Sequence, residues 1–396
     1  MTSSAALIRN FRGPALLSYG FRPFFVLGAV WAAAAMALWP AMLAGSLTLP
    51  TAFDPVRWHA HELIYGYVPA IVAGFLLTAV PNWTGRLPVV GTRLFALFAL
   101  WVAGRAAVMF SAFIGSAIAA AVDLLFLAAL GATVAREIIA GRSTRNMKIL
   151  AVLAVLLAGN AVSHAELILS LHSAHGLRVG LAAILMLIML IGGRIIPSFT
   201  RNWLVRQGPG RLPRAFDRFD VLTLILAGAA LGLWIATSDS ALTAAAAFAA
   251  AAAQFWRMAR WAGERTGSER LVLILHAGYA FVPLGFALLG LSILRPDIVL
   301  ASAATHAWTA GAIGTMTLAV MTRASLGHTG RPLTATRPIQ AIYAAVILAA
   351  AARIAAGFGV ARDPMLHLAA AAWVFAFAGF AAVFAPLLAA RRKPPA

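Results

Sequence analysis

The 396-residue sequence contains no cysteine. That excludes disulfides, thiolate metal sites, iron–sulfur clusters and cysteine nucleophiles together. Charge is scarce as well: Asp, Glu, Lys and Arg make up 11% of the chain, and only 12 residues are acidic against 31 basic. Soluble domains carry about 25% charge. No phosphate-binding Gly-Lys loop, no GxSxG elbow and no HExxH pair occurs, so hydrolase and kinase chemistry of those kinds has no support. With thiolate absent, any bound metal must be held by imidazole, carboxylate or thioether.

What is abundant is apolar residues, at 62% of the chain, with a mean hydropathy of +0.89. Such a chain needs a solvent as apolar as itself, and a bilayer supplies one. The expected fold is an all-α integral membrane domain filling 1–396, with about twelve spans near 21–45, 58–81, 91–113, 116–139, 147–170, 175–199, 217–237, 241–262, 270–294, 297–322, 337–360 and 365–389. The Ala run 244–253 makes the eighth of these the weakest. Arg9 and Arg12 precede an apolar run too long for a signal peptide, so the first span is expected to stay.

The net charge of +19 does not indicate a nucleic-acid partner, because the basic residues sit in short loops between apolar runs. They also fall on one side. Only Arg57, Arg178, Arg295 and Arg362 occupy the opposite set of loops. Positive-inside asymmetry therefore predicts both termini and every even-numbered loop in the cytoplasm. Spans 2, 6 and 10 each carry histidine toward the outer end and close inside on an Arg-bearing polar segment, a pattern compatible with three four-helix units.

The nine histidines are the informative set. His59, His61, His164, His172, His175, His306 and His367 fall toward the outside, and His276 and His328 toward the cytoplasm. Ionisable residues at membrane depth are costly and mark interiors or wet cavities. Neutral imidazole ligates heme iron and copper. The metal-ligand candidates are His59, His61, His164, His172, His175 and His306. His59 and His61 lie about 200° apart around a helix and cannot serve one metal in regular geometry. Glu62 and Tyr65 near them, and Glu166 beside His164, are candidates for proton relay or catalysis; an interfacial aromatic is the alternative for Tyr65. Arg105 and Asp123 are about equally far from the turn joining spans 3 and 4, which predicts an ion pair. Arg353 could serve an ion pair or a heme propionate equally well.

Segments 18–25 (SYGFRPFF), 58–62 (WHAHE), 79–86 (AVPNWTGR), 192–203 (GGRIIPSFTRNW) and 312–332 together resemble the NnrS family over essentially the whole chain. The resemblance implies a multi-spanning bacterial inner-membrane protein containing heme and copper, linked to nitric oxide metabolism and nitrosative stress. Where that family's pattern follows His-Glu with Met-Leu-Phe, this chain has Leu63, Ile64 and Tyr65, so a methionine ligand is not expected there. A more distant likeness is to the catalytic subunit of heme–copper oxidases and nitric oxide reductases, with heme ligands on spans 2 and 10. Span 7 here has no histidine, unlike that family. These resemblances imply heme b, with copper as a second cofactor. They imply His61 and His306 as heme or metal ligands, with His59 and Arg353 as further cofactor contacts. The implied partners are nitric oxide, membrane lipid and an electron donor. The implied reaction is an oxidoreductase that binds and reduces or detoxifies nitric oxide. A non-catalytic heme or copper sensor, or a transporter with a histidine-lined path, are the alternatives.

Overall fold

The computed structural model describes residues 11–391. Among them the chain is helical, with no strand. Twelve long helices follow in order: α1 Phe21–Leu43, α2 Pro55–Thr84, α3 Thr92–Met109, α4 Ser116–Ala140, α5 Met147–Ile168 and α6 His175–Leu204. After these come α7 Arg218–Ala236, α8 Ala241–Ala259, α9 Arg270–Leu294, α10 over 301–329, α11 Arg337–Gly357 and α12 Arg362–Ala389. Ten of them are long and apolar enough to cross a bilayer. The protein is a multi-pass membrane protein. The exceptions are α8 and α10, the eighth and tenth of the expected spans. In α8 alanine dominates, a residue only weakly apolar. In α10, Thr305, His306, Thr309, Thr315 and Thr317 dilute the run.

The chain packs as two compact units. The first comprises Met1–Gly180, Ala324–Pro332 and Phe377–Ala396. Its α2 begins where the Asp54 carboxylate accepts from the Val56 and Arg57 amides, both at 3.0 Å, with Pro55 in the first turn. Those are orphan amides that a helix start must satisfy. The helix ends on Gly85, whose φ of +68° only glycine adopts freely. Along α1 and α2 the backbones approach closely because glycine faces bulk: Gly28 meets Ile71, and Gly74 meets Phe25. Lipid is as apolar as the helices, so close packing of this kind replaces the hydrophobic drive.

The α5–α6 connection is closed by Glu166. Its carboxylate accepts from the Ser173 hydroxyl at 2.7 Å and from the His175 and Gly176 amides at 2.8 and 3.3 Å. An anion here satisfies the first amides of α6 and complements its positive end.

The second unit comprises Leu181–Arg323 and Leu333–Ala376. Its centre is a polar knot. The fully buried Arg257 donates to Asp220 at 2.8 Å, to the Tyr279 hydroxyl at 3.0 Å and to the Met189 carbonyl at 3.2 Å. Tyr279 in turn donates to Gln254 at 2.7 Å. Four helices, α6 to α9, are cross-tied by these bonds, which in membranes contribute roughly 0.6 kcal/mol each on average. Gly193 is required there, since any Cβ would occupy the Arg257 guanidinium position.

Two helices contain a wide π-type turn, Glu62–Tyr67 in α2 and Ala307–Ile313 in α10. Each begins at the residue directly after a histidine, His61 and His306. Such turns release backbone groups from the regular ladder and recur at functional sites.

Candidate metal centre

Four helices of the first unit bring six polar side chains together. They are His61 and Glu62 from α2, Arg105 from α3, Asp123 from α4, and Asn160 and His164 from α5. None is more than 5% exposed. The expected pairing of Arg105 with Asp123 forms, because α3 and α4 are joined by a tight turn and the two residues stand at matching distances from it. The other arm of the guanidinium reaches Glu62 Oε1 at 2.5 Å. Gly66 makes room for it, one turn below Glu62, where a Cβ would run into the guanidinium. Asn160 and His164 are one turn apart on α5 and so share a face. Asn160 Nδ2 donates to Asp123 Oδ2 at 2.8 Å, and His164 Nε2 donates to the same oxygen at 3.0 Å.

His61 is the centre of the arrangement. Its Nδ1 lies 3.2 Å from Glu62 Oε1, and its Nε2 lies 3.1 Å from Asn160 Oδ1 and 3.5 Å from Asp123 Oδ2. The Asn160 amide must point its nitrogen at Asp123, so its oxygen faces His61. Every neighbour of both ring nitrogens is then an acceptor. A neutral imidazole has only one N–H, so it leaves one of these contacts without a hydrogen. The formal charges agree. Glu62 and Asp123 supply −2 and Arg105 +1, a net −1 with both imidazoles neutral. A buried group of this kind needs one more positive charge. A second proton on His61 provides it, or a metal cation does.

The residues fit a cation. His61, Asp123 and His164 each offer a ligand atom, all within 4.8 Å of one another. The 3.0 and 3.5 Å separations from Asp123 Oδ2 bracket the ligand–ligand distance of about 3.3 Å that a tetrahedral ion with bonds near 2.0–2.1 Å requires. Two buried side-chain atoms of the cluster, His164 Nδ1 and Glu62 Oε2, have no hydrogen-bond partner. Phe53 closes the cluster, its ring 5.0 Å from that of His61 and 5.9 Å from that of His164.

Of the six histidines expected to bind metal, the structure brings two together, His61 and His164. His59 stacks on Trp39 at 4.3 Å, off to the side as its 200° offset from His61 requires. His172 is exposed on the α5–α6 connection, and His175 is exposed as the first residue of α6. His306 belongs to the second unit, is half-buried, and places Nδ1 2.7 Å from the Ser302 carbonyl. Arg353 is half-buried in the same unit. Ala303 of α10 packs on Gly357 of α11, so His306 and Arg353, each about one turn along from that contact, stand at similar depth.

Glu62 lies within the cluster. Tyr65 has its ring 5.4 Å from that of His61, but its hydroxyl donates to the Gly176 carbonyl in a slot that the absent side chains of Gly159 and Gly180 leave open. Glu166 caps α6. Asn160 was not anticipated, although its i, i+4 spacing to His164 was present to be read, and Asp123 was anticipated only as an ion-pair partner.

Residues 15–392 match the family described as NnrS protein. The match covers nearly the whole chain, which therefore belongs to the NnrS family. Comparison with curated proteins gives no match.

Proposed function

Proceeding from membership of the NnrS family, we propose that this protein is a metal-containing bacterial inner-membrane protein that binds nitric oxide and protects against nitrosative stress. The arginine-rich loops favour a cytoplasmic location for both termini. The observation that carries the metal assignment is the buried His61–Asp123–His164 group, whose surroundings lack one positive charge. Copper is proposed because imidazole and carboxylate suit its +2 state and the resemblance to the NnrS family implies it. When bound, the ion supplies a centre at which nitric oxide can coordinate and exchange electrons. The chain's residues then have separate tasks. His61 and His164 present imidazole nitrogens, and Asp123 presents Oδ2. Arg105 fixes Asp123 Oδ1 and Glu62 Oε1, so that neither carboxylate can swing away. Asn160 sets the ring orientation of His61 at Nε2, and Glu62 holds the ring at Nδ1.

Heme b is assigned to the second unit. His61 is fully buried among Glu62, Asn160 and Phe53, a setting that suits a bare ion between its side chains better than a porphyrin. His306 would hold the heme iron instead: it is half-buried, and its Nδ1 is oriented by the Ser302 carbonyl at 2.7 Å. Arg353, at similar depth, is proposed as a propionate contact. Reduction of nitric oxide needs an electron donor, and that activity is proposed only in company with one.

The test is metal and pyridine hemochrome analysis of purified His164→Ala and His306→Ala proteins. His164→Ala should lose copper and keep heme, and His306→Ala the reverse. If neither loses either cofactor, both assignments fail.

A further inference from the structure

The arginine-rich face of the first unit holds a cleft of about 940 Å³ where α2 and α4 end and α3 begins. Arg86, Arg93 and Arg136 line it together with Glu137. Glu137 fixes two of the three guanidinium groups: Oε1 accepts from Arg136 at 2.7 and 2.9 Å, and Oε2 accepts from Arg86. Arg93, in the first turn of α3, makes no ion pair with any described residue. Three arginines against one glutamate leave +2 in the cleft. Leu87, Pro88, Val89 and Val90 give the cleft an apolar wall, beside Gly85 and Thr92. A narrower crevice continues from it along α2 and α4, lined by Leu77, Val80, Pro81 and Val134, and shares Arg86, Leu87, Val89 and Glu137 with the cleft. Beside it, Leu87 and Phe95 are 45% and 53% exposed.

We infer that this cleft binds the phosphodiester headgroup of an anionic phospholipid, with the start of an acyl chain against the exposed apolar surface of Leu87 and Phe95. Guanidinium forks match phosphate oxygens in pairs, and a fork already held by Glu137 loses little side-chain entropy on binding. Basic pockets between membrane helices recognise anionic headgroups because charge and apolar surface meet at one depth. A free phosphate ion would use the arginines but not the apolar wall, and a zwitterionic lipid would bring an ammonium group toward a +2 cleft. The site is separate from the buried histidine cluster and does not depend on a metal.

The experiment uses the full-length protein in neutral detergent, read by native mass spectrometry and thermal shift with phosphatidylglycerol, phosphatidylcholine and inorganic phosphate in parallel. Phosphatidylglycerol should be retained and should raise the melting temperature. The other two should do neither at the same concentration. Arg93→Gln, which removes no hydrogen bond or ion pair with any described residue, should weaken phosphatidylglycerol binding about tenfold, the loss of one charge-assisted contact. Arg136→Gln should weaken it as well. The wild-type comparison stands whether or not the variants fold. Equal retention of phosphatidylcholine overturns the inference, as does equal protection by inorganic phosphate. Unaltered binding in both variants overturns it too.

Discussion

Replacing Arg105 by alanine tests the electrostatics of the buried cluster. The guanidinium is the one permanent cation there and touches both carboxylates, Glu62 at 2.5 Å and Asp123 on its other arm. Both acids are buried, at 0% and 2% exposure. At an effective dielectric near 20, an ion pair about 4 Å apart is worth roughly 4 kcal/mol. Most of that offsets the cost of taking the charges out of water, so the pair adds little net stability while intact. Removing one partner exposes the uncompensated cost, about 3–5 kcal/mol for a single buried pair. Arg105 serves two, so the loss should reach the top of that range or beyond, against a total stability of about 5–15 kcal/mol. Arg105→Ala should therefore be recovered in low yield and unfold far below the wild type when followed by far-UV circular dichroism in detergent. Arg105→Lys keeps the charge but not the fork, and should fall between the two. The triple variant Arg105→Met, Glu62→Gln, Asp123→Asn removes all three charges and should recover most of the stability. If Arg105→Ala unfolds within about 1 kcal/mol of wild type, or if the triple variant is worse than the single one, the charge reasoning is wrong.

Other consequences follow from the packing and the surface. Tyr65→Phe should cost about 0.5–1.5 kcal/mol, one hydrogen bond to Gly176, and leave metal content unchanged; a loss of copper would give the hydroxyl a role at the centre. Gly176→Ala should be worse than Gly131→Ala, by more than about 1 kcal/mol in thermal unfolding, because its Cβ would meet the Ser163 backbone whereas nothing lies near Gly131. His172→Ala and His175→Ala, both exposed, should retain full copper on metal analysis. At the start of α7, the Arg260 guanidinium pushes the Asp217 carboxyl down to about 2. A depressed carboxylate contributes stability that is present above its ordinary value near 4 and is lost as pH falls through about 2. The stability difference between wild type and Asp217→Asn should therefore shrink between pH 4 and pH 2; a constant difference would contradict the pairing.

The helices were legible because apolar length is a strong signal, and the Arg105–Asp123 pair because two charges equidistant from a tight turn must meet. The limit appeared at α8 and α10, where alanine and threonine make a helix that packs in the protein without being apolar enough to be marked as a span. Within the site, the pair on α5 was half legible. His164 was read for its chemistry, but Asn160 was passed over because an amide carries no metal signal of its own. Its role depends on Asp123 arriving from α4. Glu166 shows the opposite limit. Next to a histidine it resembled a relay, yet the connection folds back so that the start of α6 needs an acceptor, and the carboxylate supplies it. His172 and His175 shared a span end with the other candidates in sequence, but the α5–α6 connection leaves them outside the packed helices. The resemblance to the NnrS family rested on five short segments spread over the chain, and the match over residues 15–392 agrees with it.

The central claim is that His61, Asp123 and His164 hold a metal ion. Its most direct test is the copper-to-protein ratio, by inductively coupled plasma mass spectrometry, of folded wild-type, His164→Ala and Asp123→Asn protein purified after growth in copper-supplemented medium. Copper near one per chain is expected in the wild type and strong depletion in both variants, with heme absorbance preserved. Equal copper in all three proteins would contradict the claim.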